Sequence, residues 1–135
     1  MTAQIPKIPI INKKRAVIAK EFNKTFGKFP HLCTLPRVPE GAEPNWHIYA
    51  VRFASKDLAD SFYDRMRGAG IAVSTHYVPL HSSPFGRSLA GKQYKELPVA
   101  TQVAQTLVRI PIYPGLTKRD ITYITTTARR VLSGL

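Results

Sequence analysis

The sequence predicts an α+β domain in which helices cover one face of a small sheet of about three or four strands. Segments with helical apolar spacing alternate along the chain with short segments rich in β-branched and aromatic residues. The chain has 135 residues, of which 44% are apolar and 21% are charged, and this balance is typical of a globular domain. Together these observations indicate one core between the sheet and its helices.

The N-terminal segment 1–11 is predicted to be an extended lead-in, and residues 12–135 are predicted to form the domain itself. Pro6 and Pro9 lie in the short apolar stretch of the lead-in, and proline lacks the N–H that a helix interior needs. These prolines also argue against a signal peptide, and no apolar stretch is long enough to span a bilayer. With one cysteine and no sign of secretion, we expect a cytoplasmic protein.

Helices are predicted where a capping residue precedes apolar side chains at helical spacing, which occurs at residues 13–26, 56–68, 98–105 and after Thr117. In the last helix Asp120 follows Thr117 by three residues, so the pair predicts a capping box. Strands are predicted where β-branched and aromatic residues are dense, at residues 32–35, 46–53, 71–78 and 107–110. The apolar faces of these elements predict a buried core that contains Phe22, Trp46, Phe53, Phe62, Leu107, Ile110, Ile121 and Ile124.

The net charge of +12 is the strongest compositional feature of the chain. Residues 1–28 hold seven lysines and arginines against Glu21 alone, which gives half of this net charge. A concentration of charge at one end suits a docking face or a nucleic-acid site, but a solvated helix face explains it more simply. We therefore expect no sequence-specific binding of nucleic acid.

The hexapeptide HYVPLH at residues 76–81 is the best candidate for a binding site, because it ends a predicted strand and begins the long loop 80–97. Histidine exchanges protons near neutral pH, and the Tyr77 hydroxyl suits a phosphate or a sugar. For His76, a structural role in which the imidazole binds a backbone carbonyl is at least as good an explanation. His81 lies further into the loop and is the better ligand candidate.

Metal binding is not predicted, since His47, His76 and His81 lack the cysteine pair or clustered carboxylates that usually complete a zinc site. Cys33 lies in an apolar segment bounded by prolines and is expected to be a buried small hydrophobe. The glycine patterns of phosphate loops and of dinucleotide-binding folds are absent from the sequence. No catalytic, cofactor-binding or metal-binding residue is assigned in this chain.

Three segments carry a resemblance to a known family: NWHIYAVRF at 45–53, GIAVSTHYVPLH at 70–81 followed by SPF, and LPVATQVAQTLVRIPIYPGLTKRDI at 97–121. In order and spacing they resemble the C-terminal small domain of DegT/StrS-type nucleotide-sugar aminotransferases, which use pyridoxal phosphate (PLP). The preceding KKRAVIAKEFNKTFGKFPHL resembles the interdomain helix of that family. The resemblance therefore implies the fold of the C-terminal domain of fold-type I aminotransferases from about residue 12 onward.

Membership of that family implies transfer of an amino group, typically from glutamate, to a keto-sugar linked to a nucleotide, in surface or secondary-metabolite sugar biosynthesis. In the family, the lysine that binds PLP lies in a preceding large domain, so this chain is expected to bind no PLP and to be inactive alone. The resemblance makes four residues candidates for the substrate side of the cleft: His76, Tyr77, His81 and Arg87. Arg87 is included because a guanidinium suits a diphosphate.

The sequence is compatible with two interpretations. The chain is either the product of a truncated, split or deliberately shortened aminotransferase gene, whose partner would be a separate PLP-binding large domain, or a stand-alone basic module that binds nucleotide-sugar, nucleic acid or a protein. A small domain without its large domain should expose apolar surface and tend to self-associate.

Overall fold

The computed structural model describes residues 3–135 and, within them, every side chain but that of Lys92. A four-stranded antiparallel sheet has the strand order β1-β2-β4-β3. Its strands are short: β1 (Cys33–Thr34), β2 (Tyr49–Phe53), β3 (Ser74–Thr75) and β4 (Leu107–Ile110). Five α-helices accompany the sheet: α1 (Ile8–Phe26), α2 (Lys56–Gly68), α3 (Pro84–Ala90), α4 (Pro98–Thr106) and α5 (Lys118–Leu132). The predicted α+β class is confirmed.

Strand alternation separates a buried face of the sheet from an open face. Tyr49 pairs with Ile110 and Val51 pairs with Val108, and all four side chains are buried among residues of α1, α2 and α5. The alternate positions, which cannot point into this core, form the open face and include Ala50, Arg52, Ser74, Leu107 and Arg109, none of which is buried.

Aromatic side chains hold the helices against the buried face. Phe22 and Phe26 of α1 pack on Tyr49, with ring centroids 5.1 and 6.3 Å away, and Phe62 of α2 packs on Phe26 and Phe53 at 5.9 and 4.8 Å. The Tyr49 hydroxyl donates to Asn23 Oδ1 at 2.7 Å, so the one polar atom of this buried side chain is satisfied.

The prediction of an extended lead-in over residues 1–11 is wrong for the residues that the structure describes. A 3₁₀ turn at Ile5–Lys7 leads directly into α1, which begins at Ile8. Pro9 lies in the first turn of α1, where the missing N–H has no helical acceptor and the fixed φ suits the helix. Met1 and Thr2, which belong to the same prediction, lie outside the described residues.

The predicted core is largely correct. Five of its members are buried: Phe22, Phe53, Phe62, Ile110 and Ile124. The other three are partly buried and pack at its margin or on the open face: Trp46, Leu107 and Ile121. Across residues 3–135, we find no helix that combines the length and the apolar character of a membrane span.

Candidate functional site

An apolar groove of about 760 Å³ lies between the segment that follows β3 and the helix α4. Its walls include Tyr77, Leu80, Leu97, Val99 and Val103, and most of these side chains are exposed, Leu80 to 85% and Val99 to 72%. Monomeric soluble proteins rarely leave so many large apolar side chains exposed together unless the surface binds something. The groove is therefore a candidate binding surface.

His76 and Tyr77, two of the predicted site residues, lie at one end of this groove. Their ring centroids are 4.9 Å apart, and His76 Nδ1 is buried without a hydrogen-bond partner among the described residues. Tyr77 has a φ of +58°, in the left-handed region that a bulky side chain rarely adopts, and the residue is 71% exposed. Backbone strain of this kind is concentrated at functional sites, because the surrounding structure must maintain it.

His81 and Arg87, the other two predicted site residues, lie outside the groove. His81 Nε2 lies 3.1 Å from Thr101 Oγ1, a hydrogen bond that ties the 3₁₀ turn Leu80–Ser82 to α4. Arg87 lies in α3 with its Cζ 5.4 Å from the centroid of the Tyr94 ring. Of the four predicted residues, His76 and Tyr77 thus line the groove, whereas His81 contacts α4 and Arg87 contacts Tyr94.

Sequence reasoning missed a second, smaller pocket on the open face of the sheet. Its volume is about 240 Å³, and its polar lining includes His47, Ser74, Arg109 and Tyr113. The signal that could have found it is Arg109, a charged residue inside the apolar strand LVRI. Strand alternation predicts that this side chain points away from the core that Val108 and Ile110 enter.

PLP needs a lysine for its aldehyde, donors for its phosphate and a cleft that encloses it, and the described residues form no enclosed cleft around a lysine. Lys118 and Asp120 line a shallow cavity at the start of α5, but the Asp120 carboxylate caps that helix. It accepts from the Thr117 hydroxyl and the Thr117 N–H, and the first of these bonds contributes most to lowering the pKa of Asp120. The apolar groove contains no lysine. Within the described part of the chain, no three histidine, cysteine or acidic residues cluster as metal ligands.

Comparison with known proteins identifies the chain. Residues 1–129 match the DegT/DnrJ/EryC1/StrS aminotransferase family. The chain belongs to this family. An uncharacterized protein of Methanocaldococcus jannaschii is 29% identical over 133 residues, which are 96% of this chain and 34% of that protein. The dTDP-3-amino-3,4,6-trideoxy-alpha-D-glucose transaminase of Streptomyces venezuelae is 33% identical over 108 residues, which are 78% of this chain and 27% of the transaminase.

Solved structures of the family have the same fold. Streptomyces venezuelae DesV, solved in complex with a ketimine intermediate, matches with a TM-score of 0.85 at 25% identity over 97% of this chain and 34% of its own. Helicobacter pylori PseC, an aminotransferase involved in pseudoaminic acid biosynthesis, matches with a TM-score of 0.87 at 16% identity. The match covers 99% of this chain and 36% of PseC. The chain therefore spans about a third of the length of these relatives and corresponds to their C-terminal region. This confirms the resemblance drawn from the sequence.

Proposed function

We propose that this chain is the C-terminal small domain of a nucleotide-sugar aminotransferase and that it takes part in transamination only together with a PLP-binding large domain. The observation that carries the proposal is the match over residues 1–129 to an aminotransferase family whose members are about three times as long. We place the cofactor site outside this chain, since its described residues form no enclosed cleft around a lysine. Bacillus subtilis NtdA was solved with bound PMP and matches this chain with a TM-score of 0.77.

The apolar groove is the proposed contact surface for that large domain. Burial of exposed apolar side chains such as Leu80, Leu97 and Val99 supplies a favourable free energy in proportion to the area covered. The first turns of α1 support the same interpretation. Ile8 continues the stripe on which Phe22 and Phe26 are buried, yet it is 47% exposed. Both surfaces lack a cover within the described chain, and a large domain would bury them.

His76 and Tyr77 are the proposed contacts to the substrate side of the cleft. The Tyr77 hydroxyl can donate to a sugar or a phosphate oxygen, and the neighbouring His76 ring limits the orientations open to Tyr77. Because the left-handed backbone at Tyr77 holds its ring out into solvent, this contact is prepared before substrate arrives. His81 and Arg87 are proposed to act less directly. His81 holds the turn that follows Tyr77, and Arg87 offers its guanidinium to a diphosphate.

The test joins this chain to a large domain. The chain is fused in place of the corresponding C-terminal third of the Streptomyces venezuelae transaminase, and PLP binding is followed by visible absorbance. We expect no saturable visible band for the chain alone, and for the fusion a band that glutamate diminishes. A band from the chain alone that one Lys→Ala substitution abolishes would overturn the proposal.

Variants of the groove provide the matched comparison. Leu80→Asp and Val99→Asp in the fusion place a charge in the proposed contact and should weaken PLP retention and glutamate turnover. Leu89→Asp changes an equally exposed leucine that does not line the groove, and it should have little effect. Equal effects of the three substitutions, with the fold intact by circular dichroism, would count against the groove as the contact surface.

A further inference from the structure

We infer that the pocket lined by Arg109, Ser74, His47 and Tyr113 on the open face of the sheet is a binding site for a single oxyanion group, a phosphate or a carboxylate. This inference goes beyond the proposed aminotransferase function, because it depends only on residues of this chain and can be tested without a large domain. The pocket, here called the Arg109 pocket, is separate from the apolar groove, and the two share no lining residue.

Arg109 supplies the charge. It lies in β4, the strand between β2 and β3, and is partly buried against the open face. None of its side-chain nitrogens is both buried and unpaired, so the guanidinium faces solvent and is accessible to an anion. Among the side chains that the structure describes, Arg109 has no carboxylate within ion-pair distance and no hydrogen-bond acceptor. No acidic residue lines the pocket. The arrangement therefore favours an external anion.

Neutral hydrogen-bond donors surround this charge. Ser74 is the direct partner of Arg109 across the β3–β4 pair, and side chains so paired lie about 5 Å apart at Cβ on one face of the sheet. Tyr113 also lines the pocket and carries a second hydroxyl. A charge-assisted bond from a guanidinium combined with hydroxyl donors is the chemistry that binds phosphate and carboxylate oxygens.

Two of the pocket side chains are oriented by neighbours. His47 Nδ1 donates to Asn45 Oδ1 at 2.8 Å, and the same oxygen accepts from the His47 backbone N–H at 3.1 Å. These bonds fix the ring at the edge of the pocket, and in the neutral ring Nε2 is then an acceptor, so His47 is not counted among the donors to the anion. Arg109 Cζ lies 6.0 Å from the centroid of the Tyr77 ring, at the outer limit of a cation–π contact.

The size of the pocket restricts the ligand. A volume of about 240 Å³ lies below the roughly 300–1,000 Å³ of sites that enclose a drug-sized molecule. One phosphate or carboxylate group fits, and a larger ligand would extend from the open face into solvent. The pocket is therefore a subsite for the charged end of a molecule.

The test titrates the ¹⁵N-labelled chain with inorganic phosphate and, separately, with acetate, at constant pH and ionic strength. We expect saturable shifts of the backbone amides of Ser74, Arg109 and Tyr113 with at least one of the two anions. Saturation with phosphate alone identifies a phosphoryl subsite, and saturation with acetate alone or with greater affinity identifies a carboxylate subsite. The absence of saturable shifts at these residues with either anion overturns the inference.

Charge-matched variants separate this site from general attraction to a basic protein. Arg109→Gln should weaken the preferred anion at least about tenfold, as expected for loss of a charged hydrogen-bond donor. Arg52→Gln removes the same charge from an exposed position on the same face outside the pocket, and it should leave the affinity within about twofold. Equal weakening by both variants would show unspecific electrostatics and overturn the inference.

Two further variants keep the test decisive if Arg109→Gln disturbs the sheet. Tyr113→Phe and Ser74→Ala each remove one hydroxyl at a solvent-facing position and should preserve the amide spectrum elsewhere. Each should weaken the anion severalfold if its hydroxyl donates to the ligand. If Arg109→Gln does not fold and neither hydroxyl variant changes the affinity, the inference is overturned.

Discussion

Phe62 lies at the centre of the aromatic cluster, with no exposed surface and with the rings of Phe26 and Phe53 in contact. Phe62→Ala removes these contacts and leaves a cavity that a sheet and two helices cannot collapse to fill. We expect the free energy of unfolding to fall by about 3–5 kcal/mol, measured by urea denaturation. Phe85→Ala serves as the control, since Phe85 is 76% exposed and its loss should cost less than about 0.5 kcal/mol.

Similar losses for the two variants would contradict the position of α2 on the sheet. A loss below about 1 kcal/mol for Phe62→Ala would have the same meaning, because a fully buried phenylalanine that costs so little is not in the core.

Cys33 is a buried thiol whose Sγ faces the carbonyl oxygens of Phe29 and Phe26 at 3.8 and 3.9 Å. Burial raises the pKa of this thiol from 9.0 to about 11, because the thiolate loses its hydration. Since the thiolate is the reactive form, its fraction at pH 8 should be about a hundredfold below that of a thiol with the ordinary pKa. We expect slow reaction with a disulfide reagent at pH 8, with a rate that still rises between pH 9 and 11.

The same reaction in urea is the control, because the unfolded chain exposes Cys33 and restores its ordinary pKa. If Cys33 of the folded protein reacted with the reagent at pH 8 as fast as it does in urea, the result would show that Cys33 is not buried in solution.

At the scale of the element, the capping box of α5 combines two sources of stability. Asp120 N–H donates to Thr117 Oγ1 at 3.2 Å, and the Asp120 carboxylate accepts from Thr117 N–H at 2.9 Å. Thr117→Ala should lower the free energy of unfolding by about 1 kcal/mol at pH 7. Because hydrogen bonds lower the pKa of Asp120 in the folded state, the contribution of its carboxylate is complete above the ordinary pKa of about 4 and is lost as pH falls through the lowered pKa.

The pH dependence is checked by urea denaturation of Asp120→Asn between pH 7 and pH 2. This variant should lose less stability on acidification than the parent chain does. Ser55→Ala in α2 is the matched control, since Ser55 Oγ accepts from Leu58 N–H at 3.3 Å but position N3 of that helix has no carboxylate. If Asp120→Asn lost as much stability between pH 7 and pH 2 as the parent chain, the result would contradict a stabilising role of the Asp120 carboxylate.

Elements with strong local signals were predicted closely from the sequence. The bounds of α2 and β4 agree with prediction, and the Thr117–Asp120 capping box is present as expected. The strand predicted over 71–78 is reduced to Ser74–Thr75, which pair with Arg109 and Val108 of the four-residue strand β4. Tyr77, with a φ of +58°, departs from strand geometry, and residue preferences do not predict the left-handed region for a tyrosine.

The irregular segment 80–97 was only partly predictable. It contains the helix α3, which begins at Pro84 with Ser83 Oγ as its cap, and two 3₁₀ turns. Ser83 followed by Pro84 is a recognisable signal for a helix start, but the polar composition of the segment led to the prediction of a loop. The His76–Tyr77 end of the apolar groove follows from the sequence, but the groove itself does not. Its walls come from segments about 20 residues apart that only the tertiary fold brings together.

For the whole molecule, the high positive charge raises the alternative that the chain binds nucleic acid. Lys13 and Lys14 are exposed on α1, while Arg15 is partly buried and its Nε has no partner among the described residues. In this helix the described ion pairs include only Lys24 with Glu21, so most of its positive charge is uncompensated. Such a surface attracts any polyanion at low salt, and retention of DNA under those conditions does not identify a site.

Salt dependence and a charge-matched pair of variants distinguish the two possibilities. We expect the affinity for duplex and single-stranded oligonucleotides to fall by roughly three or more powers of ten between about 50 and 200 mM salt, as for a complex that neutralises several phosphates. Near physiological salt, binding should be no tighter than roughly micromolar and indifferent to sequence, as measured by fluorescence anisotropy. Lys13→Ala with Lys14→Ala, and Lys118→Ala with Arg119→Ala at the start of α5, remove equal charge from two exposed places. Since non-specific attraction depends on total charge, the two double variants should weaken binding to the same extent. A nanomolar complex that persists at physiological salt and is lost only with Lys13 and Lys14 would instead establish α1 as a nucleic-acid site.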